Sequence, residues 1–419
     1  MASSYLTRTV TASSATSYTV SFWIKINNPN WSSSPYLFTV GSTAGNGLYL
    51  ASADRKIKFF RIDDSAELTL YDGKLQDVNG WYNIVWSVNS GTGTAYVNGI
   101  TGNSHSSIPA LNNNSGTKIN IHAYSNDGYN DLDCCMAHFH FIDGTAYDAS
   151  DFGQFNSDGV WTPKSEPSVT YGTNGFFLKF ENSGSMGTDS SGNANNFTVN
   201  GSVTQTLDTP SNVYCTINAL NIASDGSGTS TLSNGNLTVT SSGTSQNVGT
   251  LAPALSSGSK WYYEFKNISG VSTLNSSVGW STDVSAFRSG NWATSGSLFL
   301  YAAVGNVYSP SGWLNGVAPT YSNNDIISCT VDLQNNEIKW YKNNSLAYTL
   351  SSISFVGDVI TPHSQWSQTG AVGSFNFGNG YFGTTAVASA GSNGNGAIFE
   401  YDVPSGFYAL NTKNLATYG

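Results

Sequence analysis

Tyr18, Val20, Phe22, Ile24 and Ile26 alternate with Thr19, Ser21, Trp23, Lys25 and Asn27. A period of two predicts a strand with one buried face. The alternation returns at Ile119, Ile121 and Ala123, and again at Ala137, Phe139 and Phe141. Residues 80–99 read GWYNIVWSVNSGTGTAYVNG. They predict a hairpin, with strands Ile84–Val88 and Thr94–Val97 on either side of Ser90-Gly91-Thr92-Gly93. Asn98-Gly99 then supplies positive-φ residues for the next reversal. Far downstream, DIISCTVDLQNNEIKWYKNNSLAY repeats the plan, with strands Ile326–Asp332 and Glu337–Lys342 around Gln334-Asn335-Asn336. Further strands are predicted at Trp261–Lys266, Ser277–Trp280, Ser297–Val304 and Gly373–Phe377. No segment carries a sustained apolar stripe at helical spacing, and helical turns are expected only around Ala149–Phe152.

Many short antiparallel strands joined by Gly and Asn turns predict an all-β chain of two tandem antiparallel β-sandwich (jelly-roll) domains. One long hairpin is expected across the middle of each. The polar stretch Leu207-Asp208-Thr209-Pro210-Ser211-Asn212 marks the junction, because Pro removes a donor and holds its predecessor extended. The domains are therefore placed at 1–207 and 208–419. Composition agrees with this plan. The 419 residues include 11 Trp, 23 Tyr and 21 Phe, and each aromatic buries about 150–250 Å². Only 10% of the residues are charged, against about 25% in an ordinary globular chain. The surface must therefore be built from Ser, Thr, Asn and Gly.

The formal charge is −10, with 16 basic residues scattered singly. No basic stripe exists to neutralise phosphates, so nucleic acid is not an expected partner. No apolar run approaches the roughly 20 residues that span a bilayer, and no membrane association is expected. The amino terminus, MASSYLTRTVTASS, lacks the apolar core of a secretory signal. Cys134, Cys135, Cys215 and Cys329 form neither a disulfide framework nor a C-x-x-C pattern, and read as reduced, mostly buried thiols.

The first half resembles the laminin G-like, concanavalin A-like sandwich family through YTVSFWIK (18–25), GWYNIVWSVN (80–89) and TAYVNG (94–99). The second half resembles the SPRY family through GSKWYYEF (258–265), SSVGWS (276–281) and NDIISCTVDLQNNEIKWYKNN (324–344). It has Asn324-Asp325 where that family usually has Gly-Asp. Four further segments are similar to parts of large proteins of bacterial viruses, especially marine ones. They are HFIDGTAYDASDFGQF (140–155), YGTNGFFLKFENS (171–183), GTDSSGNANNFTVNG (187–201) and PSGFYALNTKNL (404–415). The resemblance implies a virion surface protein, on a tail fibre or the capsid exterior, made in the bacterial cytoplasm and released by lysis. Its implied partners are other virion proteins, copies of itself as a homo-oligomer, and a host-surface glycan. A purely structural decoration or tail component without a ligand is the alternative.

Some concanavalin-like sandwiches cleave glycans with paired carboxylates on one strand, E-x-D-x-x-E, and such pairs must stand about 5–9.5 Å apart. Here the sole E-x-D is Glu400-Tyr401-Asp402, with no third acid. No enzymatic activity and no catalytic residue are expected. His138 and His140, two apart on one strand, lack an evident third metal ligand and read as exposed strand histidines. Asn126–Asp133 crowds oxygen ligands before a strand, so Asp127, Asp131 and Asp133 are candidates for calcium, the one cofactor considered. Laminin G-like domains often bind calcium at such an edge. Asp189-Ser190-Ser191-Gly192-Asn193 is a second turn of this kind. Trp31, Trp292 and Trp313 stand among turn formers, where an indole face can stack on a sugar ring; these are the ligand-binding candidates. Trp81, Trp86, Trp261, Trp280 and Trp340 lie in strands and are assigned to the core.

Overall fold

The computed structural model describes all residues except 1–3, 12, 42–44, 62, 114–116, 125–131, 225–227, 271–275 and 283–296. The chain forms two compact units, Met1–Gln205 and Thr206–Gly419. Both are built from antiparallel sheets, as the alternation predicts.

In the first unit a seven-stranded and a six-stranded sheet enclose one apolar core. The larger sheet runs in the order Thr198–Asn200, Tyr5–Thr9, Lys118–Ile121, Tyr36–Gly41, Gly45–Leu50, Ile57–Arg61, Ala66–Thr69. The smaller runs Ile100–His105, Thr92–Val97, Trp81–Asn89, Tyr18–Ile26, Cys134–Asp143, Phe176–Leu178. Aromatic side chains from both sheets meet between them. Phe22 stacks on Phe139 at 4.9 Å, Phe38 lies 5.6 Å from Phe141, and Phe59 lies 5.5 Å from Trp86.

Tyr18–Ile26 departs from the one-faced burial that its alternation predicts: all nine residues are buried. The outward face is covered by the segment that follows Cys134–Asp143. Thr19 Oγ1 donates to the Thr145 carbonyl at 3.0 Å and accepts the Tyr147 N–H at 2.9 Å. Val85, Ile142, Ala149 and Phe152 form a second, smaller apolar cluster on that face. Ala149–Phe152 is the expected helical turn, capped by Asp148.

The first hairpin is tighter than the sequence suggests. Its strands are Trp81–Asn89 and Thr92–Val97, with Asn89 opposite Thr92. Only Ser90 (φ 46°) and Gly91 (φ 83°) remain as the turn, a type I′ geometry that matches strand twist. Gly93 belongs to the strand, where a Cβ would lie 2.2 Å from the Trp86 ring. The hairpin also lies toward one edge of its sheet rather than across the middle.

The second unit contains a curled sheet of 13 strands. Its spine runs Gly312–Leu314, Val307–Ser309, Leu298–Ala302, Ser276–Ser281, Thr361–Asn376, Lys260–Ser269, Ile326–Asp332, Glu337–Lys342, Ser345–Leu350. The hairpin Ile326–Lys342 again sits near an edge. Strand Thr238–Gly249 pairs with Thr361–Asn376 off this path. Trp261, Trp280, Trp340 and Trp366 are fully buried, and Trp340 Nε1 donates to the Val278 carbonyl at 3.1 Å. Cys215 and Cys329 are buried thiols, whereas Cys134 and Cys135 are half-buried; none forms a disulfide.

A second α-helix, Thr412–Tyr418, was not expected from the sequence. The Asn411 side chain accepts the Asn414 N–H at 2.9 Å as its N-cap. Seven residues give too few turns for a periodic apolar stripe to show.

Candidate functional site

Along Trp81–Asn89, Ile84, Trp86 and Val88 point into the core, so Ser87 and Asn89 point out. Along Thr92–Val97, Ala95 and Val97 point in, leaving Thr92, Thr94 and Tyr96 on the outer face. The register places Thr94 opposite Ser87 and Thr92 opposite Asn89, which gathers these polar side chains into one patch. The segment carrying Tyr147 and the cap of Ala149–Phe152 rises beside the patch as a wall. The result is a shallow groove of about 540 Å³ lined by Ser87, Asn89, Thr92, Thr94, Tyr96, Ala146, Tyr147, Asp148 and Asp151.

The wall is rigid for local reasons. Asp148 Oδ1 accepts the Ser150 N–H at 2.7 Å and the Ser150 hydroxyl at 2.6 Å. Asp151 Oδ2 accepts the Asp148 N–H at 3.0 Å. The Asp148 side chain also accepts the Asp151 N–H, which completes a capping box that satisfies helix-end donors reciprocally. The Tyr147 hydroxyl accepts the Thr170 N–H at 3.0 Å, and Thr94 Oγ1 lies 3.0 Å from Ser104 Oγ. Burial, with the nearby charge of Asp148, raises the Tyr96 hydroxyl pKa. Tyr96 is therefore a neutral donor at physiological pH. The groove offers hydroxyl, amide and carboxylate groups beside two half-buried phenol rings, an inventory suited to a polyhydroxylated ligand.

The described residues singled out in the sequence lie elsewhere. Trp31 is 4% exposed and belongs to the first core. Arg55 lies 4.4 Å over its ring and donates to its carbonyl at 2.8 Å, so both packing and a cation–π contact cover the indole. Trp313, in the second unit, is half-buried and meets Tyr308 edge-on at 5.1 Å beside Val248, Leu298 and Leu300. Trp292 lies outside the described residues. The five strand tryptophans assigned to the core are all buried, Trp81 at 8% and the others at 0%.

Of the calcium candidates, Asp127 and Asp131 lie outside the described residues. Asp133 Oδ1 accepts Asn27 Nδ2 at 2.9 Å. Among the described residues, no three His, Cys, Asp or Glu side chains gather as metal ligands. The second oxygen-rich turn is a structural knot. Asp189 Oδ1 accepts the N–H groups of Phe177 (2.8 Å) and Ser191 (2.9 Å), and Oδ2 accepts Ser191 Oγ and the Asn195 N–H, both at 2.8 Å.

His138 and His140 do not stand exposed on one face, as period two implies. The register shifts between Ala137 and His140, and His138 has φ 45°, a bulge that breaks the alternation. His140 is 1% exposed, stacked on Phe177 at 3.9 Å, with Nδ1 3.0 Å from the Tyr171 hydroxyl. Burial drives its pKa well down. The E-x-D pair is also engaged locally. Glu400 Oε2 accepts the Ala388 N–H at 2.6 Å, and Asp402 Oδ1 accepts Ser392 Oγ at 2.9 Å and the Asn393 N–H at 3.2 Å.

Family models match both units. Residues 2–148 match the concanavalin A-like lectin/glucanases superfamily, and residues 260–380 match the SPRY domain. The chain carries a concanavalin A-like domain and a SPRY domain. The first is a lectin-like domain type, and the groove lies on it. Comparison with curated proteins gives no match. Among solved structures, the SPRY domain of human HERC1 is 15% identical, covering 38% of this chain and 96% of its own, with a TM-score of 0.28. A SAP-like pentraxin from Limulus polyphemus is 13% identical, covering 34% of this chain and 71% of its own, at 0.28. A candidate carbohydrate-binding protein from Bacteroides ovatus is 14% identical, covering 47% and 56%, at 0.32.

Sequence reasoning sought aromatic residues in loops and missed the groove. The signal was present in the polar half of the hairpin alternation, Ser87, Asn89, Thr92, Thr94 and Tyr96, and in the capping signature YDASD. Only the fold shows that these two stretches adjoin.

Proposed function

We propose that this chain is a non-enzymatic surface subunit of a bacterial virus that holds a host glycan through the groove of its concanavalin A-like unit. The observation that carries the glycan reading is that groove: two phenol rings and a row of Ser, Thr and Asn side chains on the exposed face of a lectin-like domain. The viral setting rests on the similarity of residues 140–155, 171–183, 187–201 and 404–415 to proteins of such particles. A shallow groove gives weak single-site binding, since a millimolar affinity takes about 4 kcal/mol. Repetition of the subunit on a particle raises avidity by about 10²–10⁴ without new contacts. Weak sites therefore suit a multi-copy protein.

A glycan array probed with the purified chain and with Tyr96→Ala tests the binding. The expected result is a defined set of bound glycans that the variant loses. Failure to bind any host-surface glycan leaves a purely structural subunit. Release of reducing ends from a host polysaccharide would overturn the non-enzymatic assignment. Imaging of a particle with labelled subunit tests the placement.

A further inference from the structure

Among the described residues only two aromatic side chains are exposed, Phe155 and Tyr418, and Tyr418 stacks on Tyr408 at 3.7 Å. Phe155 is 59% exposed. It stands in a tight hairpin, Gly153–Phe155 paired with Trp161–Pro163, and meets the Trp161 ring edge-on at 5.0 Å. The indole beneath it is fixed. Trp161 Nε1 donates to Oδ1 of fully buried Asn83 at 3.0 Å. A Cβ on Gly99 or Gly153 would come within 2.7 or 2.5 Å of the ring, so neither position has room for a side chain. Asn156 Oδ1 closes the hairpin by accepting the Asp158 and Val160 N–H groups at 3.0 and 2.8 Å. Lidding a core accounts for Trp161, which packs on Val85, Ile142, Ala149 and Phe152, but not for Phe155, which is outside that cluster. A large ring kept in water on a fixed base marks a surface that takes a partner.

This hairpin stands at the Tyr96 end of the groove. Tyr96, which lines the groove, and Trp161 pack on the same apolar cluster, and Gly99, against the indole, follows Tyr96 by three residues. From Thr92 at the open end to Val97 the strand runs about 17 Å, at ~3.4 Å per residue. Given the glycan-binding reading above, we infer that Phe155 and Trp161 form a second sugar subsite, and that the ligand is an extended chain of β-linked pyranose rings rather than one terminal sugar. Such a ring carries its hydroxyls around the rim and C–H groups on its flat faces. The C–H faces suit the exposed Phe155 ring, and the rim hydroxyls suit Ser87, Asn89, Thr92 and Thr94. A chain that reaches both ends adds the apolar contact to the polar ones; a short sugar makes only one set.

Di- and hexasaccharides of β-1,4-linked glucose and of β-1,4-linked N-acetylglucosamine are titrated into the full chain by calorimetry. A hexasaccharide is expected to bind about tenfold more tightly than its disaccharide. Phe155→Ala removes an exposed side chain, and an unchanged melting temperature verifies the fold. This variant is expected to weaken the hexasaccharide about three- to tenfold and to leave the disaccharide unaltered, while Phe155→Tyr restores the wild-type affinity. A hexasaccharide that binds no better than its disaccharide, or that Phe155→Ala holds as tightly as the wild type, overturns the second subsite and leaves the groove to short glycans. Self-association of the chain without sugar, abolished by Phe155→Ala in sedimentation, makes the ring a contact between copies instead. If neither hexasaccharide binds, the extended chain is overturned and the glycan array judges the groove separately: short glycans bound there keep that reading, and an empty array removes both.

Discussion

Glu264 is buried beneath the backbone of Glu400, whose N–H it accepts through Oε2 at 2.8 Å. Its Oε1 accepts the Tyr401 N–H and the Tyr262 hydroxyl, each at 2.9 Å, and Asn376 Nδ2 reaches Oε2 at 3.2 Å. Around it, Tyr214, Tyr262, Ala397, Phe399, Val403 and Ala409 form a satellite core. The Glu264 carboxylate is thus one of the groups that fasten the residues beyond the SPRY match at 260–380 to the sheet, beside the pairing of Tyr408–Ala409 with Trp261–Tyr262.

Burial raises the Glu264 pKa from 4.5 to about 7, and the four donors only partly oppose this. A folded-state pKa above the unfolded value means that this group stabilises the fold fully below pH 4.5. That contribution is lost as pH rises through about 7, a change worth about 3 kcal/mol. Buried His363 acts oppositely, its pKa lowered by burial to about 3, so the difference between wild type and Glu264→Gln isolates the carboxylate. Denaturant titrations should show wild type losing stability relative to Glu264→Gln between pH 4.5 and 7. A constant difference across that range would remove this account. Glu264→Ala, which orphans the donors, should cost about 2–5 kcal/mol.

Gly93 lets the first hairpin close over Trp86. A Cβ there would stand 2.2 Å from the ring, which is fully buried and cannot step aside. Gly93→Ala should destabilise the first unit by about 1–3 kcal/mol, measured as a lower melting temperature. An unchanged melting temperature would mean that the indole has room to shift.

Asp189 satisfies the N–H groups of Phe177, Ser191 and Asn195. Asp189→Ala should cost about 2–4 kcal/mol and raise amide hydrogen exchange across residues 172–197. Stability that depends on added calcium in wild type but not in the variant would instead make this turn an ion site.

Asn89 and Thr92 are exposed at the open end of the groove and bear no core load. Asn89→Ala with Thr92→Ala should leave the stability within about 0.5 kcal/mol of wild type in denaturant titrations. The same change should weaken glycan binding several-fold in a titration. Full affinity in this variant would place the ligand elsewhere.

Alternation and Gly/Asn turns sufficed for the all-β class, the existence of both hairpins and the core role of the strand tryptophans, because a strand exposes its environment two residues at a time. The bulge at His138, the double burial of Tyr18–Ile26 and the short helix Thr412–Tyr418 were illegible. Each depends on what packs against the strand or on too few residues to display a period. Trp31 looked like a ligand platform because its neighbours form turns, yet Arg55 and the core enclose it.

The sequence by itself therefore determined which side chains share a face along the regular strands, such as Ile84, Trp86 and Val88, since that follows from local geometry. Tertiary structure alone decided that the polar backs of Trp81–Asn89 and Thr92–Val97 meet the cap of Ala149–Phe152, and that Glu264 lies under Glu400. Those pairs are separated by long stretches of chain, and only the folding of the sheets brings them within hydrogen-bonding distance or into one groove.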